Sequence, residues 1–210
     1  MSAYALALMA ARMGLDRHAV IAAAMTIVDD QGVDALSMAR LAGELGIRGP
    51  SLYAHVRNQA ELRRELWLWV LDDLGEHLRA SVMGRSGREA LIAFATAMRD
   101  YAREHQARYL LTLQPPVPFD EVALEASHRV NGAFRAVIRS FGLEGDEAVH
   151  CGRALRAAVH GFVELEARNA LARAKSDRSG GDGSWEFLLL LLVNGLESAR
   201  DGVTALSRPA

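Results

Sequence analysis

"LGIRGPSLYAHVRN", residues 45–58, places a glycine, a Gly-Pro pair and two arginines between stretches of helical spacing. No Asp or Glu falls between Leu45 and Ala60, although the chain carries 26 of them. Upstream, Ser37 caps a helix that ends near Glu44, and Leu45-Gly46-Ile47 forms a tight turn. Gly49-Pro50 opens a short helix, because proline's fixed φ and missing N–H do no harm in a first turn. Asn58 with Glu61 resembles a capping box and starts a long helix towards Val82. Further upstream, Asp16 to Gln31 is a helix with Ala24, Ile27 and Val28 on one face and Gly32 as its stop.

Two short helices joined by a sharp turn, braced by the helix before them, make a helix-turn-helix unit. Leu36, Leu41, Leu45, Leu52 and Val56 point inward, and Ala42 is small where the second and third helices approach. Arg48, Ser51, Tyr53 and His55 are left facing out. Phosphates repel carboxylates and base edges need donors, so this acid-free face suits duplex DNA. Charge alone is weak support, since a window of this length lacks acids about one time in ten by chance. The caps, turn and core leucines carry the reading.

"ALSMARLAGELGIRGPSLYAHVRNQAELRREL", residues 35–66, resembles the DNA-binding segment of the TetR family of bacterial one-component transcriptional regulators, with Gly46, "SLYAHV" and "NQAEL" its most specific parts. The resemblance implies a homodimer whose third helices enter successive major grooves of a pseudo-palindromic operator. It implies that Ser37, Arg48, Ser51, Tyr53 and His55 touch DNA, with Gly49 at the start of the reading helix. Arg48 and Ser51 would lie nearest the bases, and Tyr53 and His55 would grip phosphate. Two positions depart from the family pattern. Gln59 stands where a phosphate-binding lysine is common, with Arg57 as the neighbouring cation that can compensate. Ala39 stands where some members carry a base-reading arginine.

The rest of the chain is helical as well, and no run alternates with a period of two. Further helices are expected from Ser86 to about His105, about Ala107 to Leu113, Asp120 to Phe141, Asp146 to about Ala174, and Ser184 to about Leu206. Ser86 and Glu89 repeat the capping box. "QPPVPF" at 114–119 breaks the pattern, and "SDRSGGDG" at 176–183 is a connector. The expected fold is all-α with about nine helices: an arm over 1–14, a helix-turn-helix domain over 15–60, and a ligand-binding and dimerisation domain over 61–210. Met13 is an alternative start.

"RALRAAVHGFVELEA", residues 153–167, resembles the His-Gly-containing helix of one large TetR subgroup. Leu155, Val159, Phe162 and Leu165 form a stripe on it, and Gly161 would admit another backbone. "FLLLLLV" at 187–193 is apolar all round, so one face can cover its own domain while Leu188, Leu191, Leu192 and Gly195 meet a second chain. Two such helices per subunit, with Leu155, Val159 and Phe162, would form a four-helix bundle across a two-fold axis. The competing reading makes the leucine run plain core. A ligand cavity is expected among the middle helices. Its candidate walls are Phe94, Met98, Tyr101, Tyr109 and Leu110, then Phe119, Val122, His128 and Phe134, which suit a hydrophobic or aromatic molecule.

Other classes find little support. His105, His128, His150 and His160 include no i, i+4 pair and no compact cluster, so no metal or other cofactor is expected. Cys151 is the only cysteine, which excludes an internal disulfide and fits a reducing cytoplasm. His150 beside it points about 100° away on a helix, and no catalytic set is found for an enzyme. No stretch is long enough to span a bilayer. Lys175 is the single lysine among 24 basic residues, as GC-rich bacterial coding would give. The expected protein is a cytoplasmic repressor that is released from its operator by a small molecule. The alternative is a DNA-binding dimer without a ligand, constitutive or partner-controlled.

Overall fold

The computed structural model describes residues 15–115, 120–168, 170–171 and 181–202, the side chains of 200–202 excepted. The expected arm, Met13, Phe119, most of the 176–183 connector and the end of the last helix lie outside them. The described residues contain nine α-helices and no strand. They are α1 (Arg17–Gln31), α2 (Met38–Glu44), α3 (Gly49–Tyr53), α4 (Gln59–Val82), α5 (Gly87–Glu104), α6 (Gln106–Thr112), α7 (Glu121–Ser140), α8 (Gly145–Ala167) and α9 (Asp182–Gly202), with a 3-10 turn at Val33–Ala35.

The chain folds as two compact units, Met1–Asp73 with His105–Ala126, and Leu74–Glu104 with Ser127–Ala210. In the first, α1 starts at Asp16, whose Oδ1 accepts from the Ala19 amide at 2.7 Å. It stops at Gly32, where φ is +82°. Val20, Ala24, Ile27 and Val28 of α1 are buried with Leu36, Leu41, Leu52, Val56, Leu62, Leu66 and Leu111 in one apolar core. Leu111 brings α6 into that core, and the Arg108 guanidinium grips both carboxylate oxygens of Asp29 at 2.8 and 2.6 Å.

In the second unit α5 buries Ala90, Leu91, Phe94, Ala95, Met98, Tyr101 and Ala102. The start of α5 is not the expected box. Ser86 makes no side-chain hydrogen bond among the described residues, and the Gly87 amide donates instead to Ser140 Oγ at 2.8 Å. Gly87 enters the helix at φ +51°, a backbone geometry that favours glycine. The end of α8 also differs from expectation. Ala170 N–H donates to Leu165 O at 2.8 Å, and this 6→1 wrap closes the helix at Ala167 rather than Ala174.

Arg99, 5% exposed, is the one buried charged residue described. Its Nε donates to Glu166 at 2.9 Å and its Nη2 to Asp182 at 2.8 Å, with Arg103 on the same two carboxylates. The guanidinium lies 4.9 Å from the Trp185 ring centre and 5.6 Å from that of Phe162. A charge taken from water must be paired to be tolerated, and this cluster pairs it while fastening α5, α8 and the first residue of α9.

Candidate functional site

The geometry of residues 37–61 follows from three local devices. Ser37 Oγ accepts from the Arg40 amide at 3.2 Å and starts α2. At the other end, Gly46 sits at φ +65°, its amide donating to Gly43 O at 3.1 Å while Ile47 N–H reaches Ala42 O at 3.0 Å. These paired bonds form a Schellman motif, which needs a residue in the left-handed region. A side chain at Gly46 would meet no neighbour, so the glycine is required for its φ alone. Third, Asn58 Oδ1 accepts from the Glu61 amide at 2.8 Å and starts α4.

Between these devices α3 divides inside from outside. Leu52 is 0% and Val56 1% exposed, whereas Tyr53 is 52% exposed. Arg48 and Ser51 are exposed and His55 is half-buried. The side chains of Arg48, Ser51, Tyr53 and His55 make no hydrogen bond or ion pair with any described residue. Gly49, half-buried, begins the helix. The four free side chains include a guanidinium, two hydroxyls and an imidazole.

The flanking candidates are engaged within the protein. Ser37 is half-buried and its oxygen is a cap, although its O–H can still donate. Gln59 does not stand out as a free donor: its Nε2 donates to Leu36 O at 2.9 Å, bracing the start of α4 against the entry to α2. Arg57 pairs with Glu61 at 3.0 Å, although its side chain is 84% exposed.

Glu61 organises the chain around this face more than its place in a capping box implies. One oxygen accepts from Arg17 Nη2 at 2.8 Å, and the other from both the amide and the Nε of Arg57 at 2.8 and 3.0 Å. The Arg57 backbone bond, with help from Arg17, holds this carboxyl down at about 2. Arg17 also reaches Glu65 at 3.2 Å and His55 O at 3.4 Å. The Glu61 charge is thereby paired twice, and the start of α1 is tied to both His55 and α4. The i, i+4 spacing of Arg57 and Glu61 was the available signal. The share of Arg17, 44 residues away, left none.

In the second unit, Leu155 and Val159 are buried at 1% and 0% within the subunit's own core. The expected stripe on α8 therefore splits, because the helix packs against α5 and α9 along that side. Leu165 is 45% exposed. Phe162 is half-buried and packs on Trp185, ring centres 5.1 Å apart. A Cβ at Gly161 would meet nothing within 4 Å in this subunit. The close approach occurs at Gly152, where a Cβ would lie 3.3 Å from Phe134. On α9 the inner face is Trp185, Leu189, Val193 and Leu196, all buried. The outer face keeps Phe187, Leu190 and Leu191 at 61%, 47% and 54% exposed, with Leu188 and Leu192 half-buried and Gly195 exposed.

The candidate ligand walls are scattered. Phe94, Met98 and Tyr101 are buried in the second unit's core, and Tyr109 in the first with Leu110 half-buried. Val122 and His128 are exposed. Of the eight candidates among the described residues, Phe134 alone borders a cleft of about 670 Å³ between α7 and α8. Burial pushes the His160 imidazole down to about 4, so it is neutral at physiological pH. No group of His, Cys, Asp and Glu able to hold a metal occurs among the described residues. No described helix is long and apolar enough to cross a membrane.

The model of the family described as "Tetracyclin repressor-like, C-terminal domain" matches residues 91–192. An uncharacterized HTH-type transcriptional regulator of Mycobacterium tuberculosis is 34% identical over 184 residues, spanning 87% of this chain and 82% of its own length. The class A tetracycline repressor protein from transposon 1721, of Escherichia coli, is 30% identical over 205 residues, spanning 89% and 92%. Among solved structures, a TetR from Acinetobacter baumannii in complex with minocycline superposes with a TM-score of 0.64 at 25% identity, covering 90% of this chain and 99% of that one. With the helix-turn-helix geometry of residues 37–61, these similarities place the chain in the TetR family of transcriptional regulators.

Proposed function

We propose that the protein is a homodimeric repressor that binds a pseudo-palindromic operator through α3 and leaves it when a small molecule binds the second unit. The observation that carries this reading is the division of α3. Leu52 anchors the helix from within, and the helix offers Arg48, Ser51 and Tyr53 unpartnered to solvent. Arg48 can meet a guanine edge with two donors, and Tyr53 and His55 can donate to phosphates. Ser37 and Gly49 flank the same face. Arg57 reaches the backbone only by sharing itself with Glu61.

Dimerisation through the outer face of α9 supports the two-fold reading, since Phe187, Leu190 and Leu191 would otherwise stay wet. Two α3 helices then lie about 34 Å apart, one turn of duplex. The helix α4 begins beside α3 and continues past the boundary between the two units at Asp73. A ligand that favours a different α3 spacing weakens operator binding by the ratio of its affinities for the two states. The related repressor named for tetracycline and the minocycline complex support a small-molecule effector with an apolar body.

The test is protection mapping and fluorescence anisotropy on the DNA upstream of the gene and its divergent neighbour. Tyr53→Ala and Arg48→Ala are each expected to weaken binding about tenfold or more while dimer and melting stay unchanged. Undiminished binding by both variants, or no protected two-fold site, would refute the reading.

A further inference from the structure

The cleft between α7 and α8 has an unusual charge pattern. Phe134, Ile138, Leu143, Ala148 and Val149 give it an apolar floor, and Gly152 lets Phe134 lie close against α8. Arg135 and Arg139 line one side from α7, and Arg153 and Arg156 the other from α8. None of the four side chains makes a hydrogen bond or ion pair with any described residue. Elsewhere in the same unit Arg79, Arg88, Arg99, Arg103 and Arg168 each meet a carboxylate. Glu144, at the start of α8, is the single carboxylate among the lining residues.

Arg135 and Arg139 are one helical turn apart, as are Arg153 and Arg156, and like charges at that spacing repel. Four unpaired guanidiniums around one concavity have an unfavourable field that an anion relieves. A neutral ligand would leave them unpaired, and a cation would be repelled. The volume, about 670 Å³, is that of a small-molecule site, and a concave cleft of this size does not fit the convex edge of a duplex.

We propose that this cleft binds an amphipathic organic anion, its apolar body against Phe134, Ile138 and Val149 and its carboxylate or phosphate held among Arg135, Arg139, Arg153 and Arg156. Guanidiniums suit both head groups, because their paired N–H donors match two oxygens at once. This goes beyond the hydrophobic effector proposed above by assigning the ligand a charged end. Its role in operator release rests on that earlier reading, whereas binding itself does not.

The test is calorimetric titration of the full chain with decanoate, decyl phosphate, decanol, decylamine and inorganic phosphate. Both amphipathic anions should saturate one site per chain. Decanol, decylamine and inorganic phosphate should bind at least about tenfold more weakly, the ratio expected for losing one charge-assisted pair or the apolar contact. The double variant Arg135→Gln, Arg153→Gln should weaken both anions at least about tenfold, with dimer mass and melting unchanged. Exposed arginines can be replaced without opening the core, so the variant reports on the site. Equal binding of decanol and decanoate, anion binding untouched by the double substitution, or absence of anion binding would each overturn the proposal. So would a double variant that sediments as monomer, because the arginines would then face a second copy. Operator affinity measured with saturating decanoate separates the two claims: binding without release keeps the site and refutes only the ligand-release reading.

Discussion

Glu61→Gln isolates the charge that locks the segment following α3. The side chain keeps its volume and an oxygen for the Arg57 amide, and loses the negative charge together with the second acceptor, the one that Arg17 uses. Arg17 and Arg57 are 48% and 84% exposed, so each ion pair contributes roughly 0.5 kcal/mol in screened solvent. Weakening the charge-assisted bond from the Arg57 amide adds about 1 kcal/mol. The expected loss is about 1–2 kcal/mol at neutral pH. The carboxyl titrates at about 2 in the folded chain against an ordinary 4.5. As pH falls below 4.5 the unfolded chain takes up the proton first, so the stabilisation is complete above that value and vanishes towards pH 2. Wild type and variant should therefore differ fully at pH 7, and the gap should shrink to about half or less near pH 3 on its way to closing towards pH 2. Urea unfolding followed by circular dichroism at both pH values measures this. Operator affinity should fall along with stability, because the same carboxylate fixes the chain on leaving α3. Equal stability at neutral pH, or a gap of the same size in acid, would refute the reasoning.

Three other perturbations probe separate parts of the structure. Leu52→Ala should cost about 2–5 kcal/mol by cavity formation and abolish operator binding through unfolding of the first unit, as thermal melts would detect. Leu191→Glu, on the exposed face of α9, should convert the dimer to a monomer in sedimentation while leaving helicity intact, and a persistent dimer would move the interface elsewhere. Glu166→Ala should destabilise the second unit by about 2–3 kcal/mol, since the buried Arg99 keeps only Asp182, and chemical denaturation would show it.

What could be read from the sequence was whatever short-range chemistry determines. Ser37, Gly46 and Asn58 announce their caps and turn because each device closes within five residues. Leu52 and Val56 are inward because their neighbours on the turn are polar. The nine helices follow from the same punctuation. Contacts across long separations were not legible: Ser140 capping Gly87, Arg108 on Asp29, and Arg17 on Glu61 depend on packing that no local pattern encodes. Burial around α8 is hidden from the sequence for a related reason. Leu155, Val159 and Leu165 share an apolar stripe, and only the positions of α5 and α9 decide which of them stay wet.

The distribution of unpaired arginines connects the two units' chemistry. At least nine guanidiniums meet a carboxylate among the described residues, and a protein of net charge −2 has acids enough to match more. Arg48 at the start of α3, Arg63 on α4 and the four around the α7–α8 cleft have side chains that meet none among the described residues. Leaving several cations unmatched side by side adds repulsion, and an anion arriving from outside relieves it. The first such place faces out from a helix of a size to enter a groove, and the second lines a concavity of a size to hold a small molecule. If both proposals hold, the regulator would answer to an anion at one place and grip a polyanion at the other. The acids are placed accordingly: Glu61 is neutralised where DNA would approach, and Glu144 stands alone at the cleft.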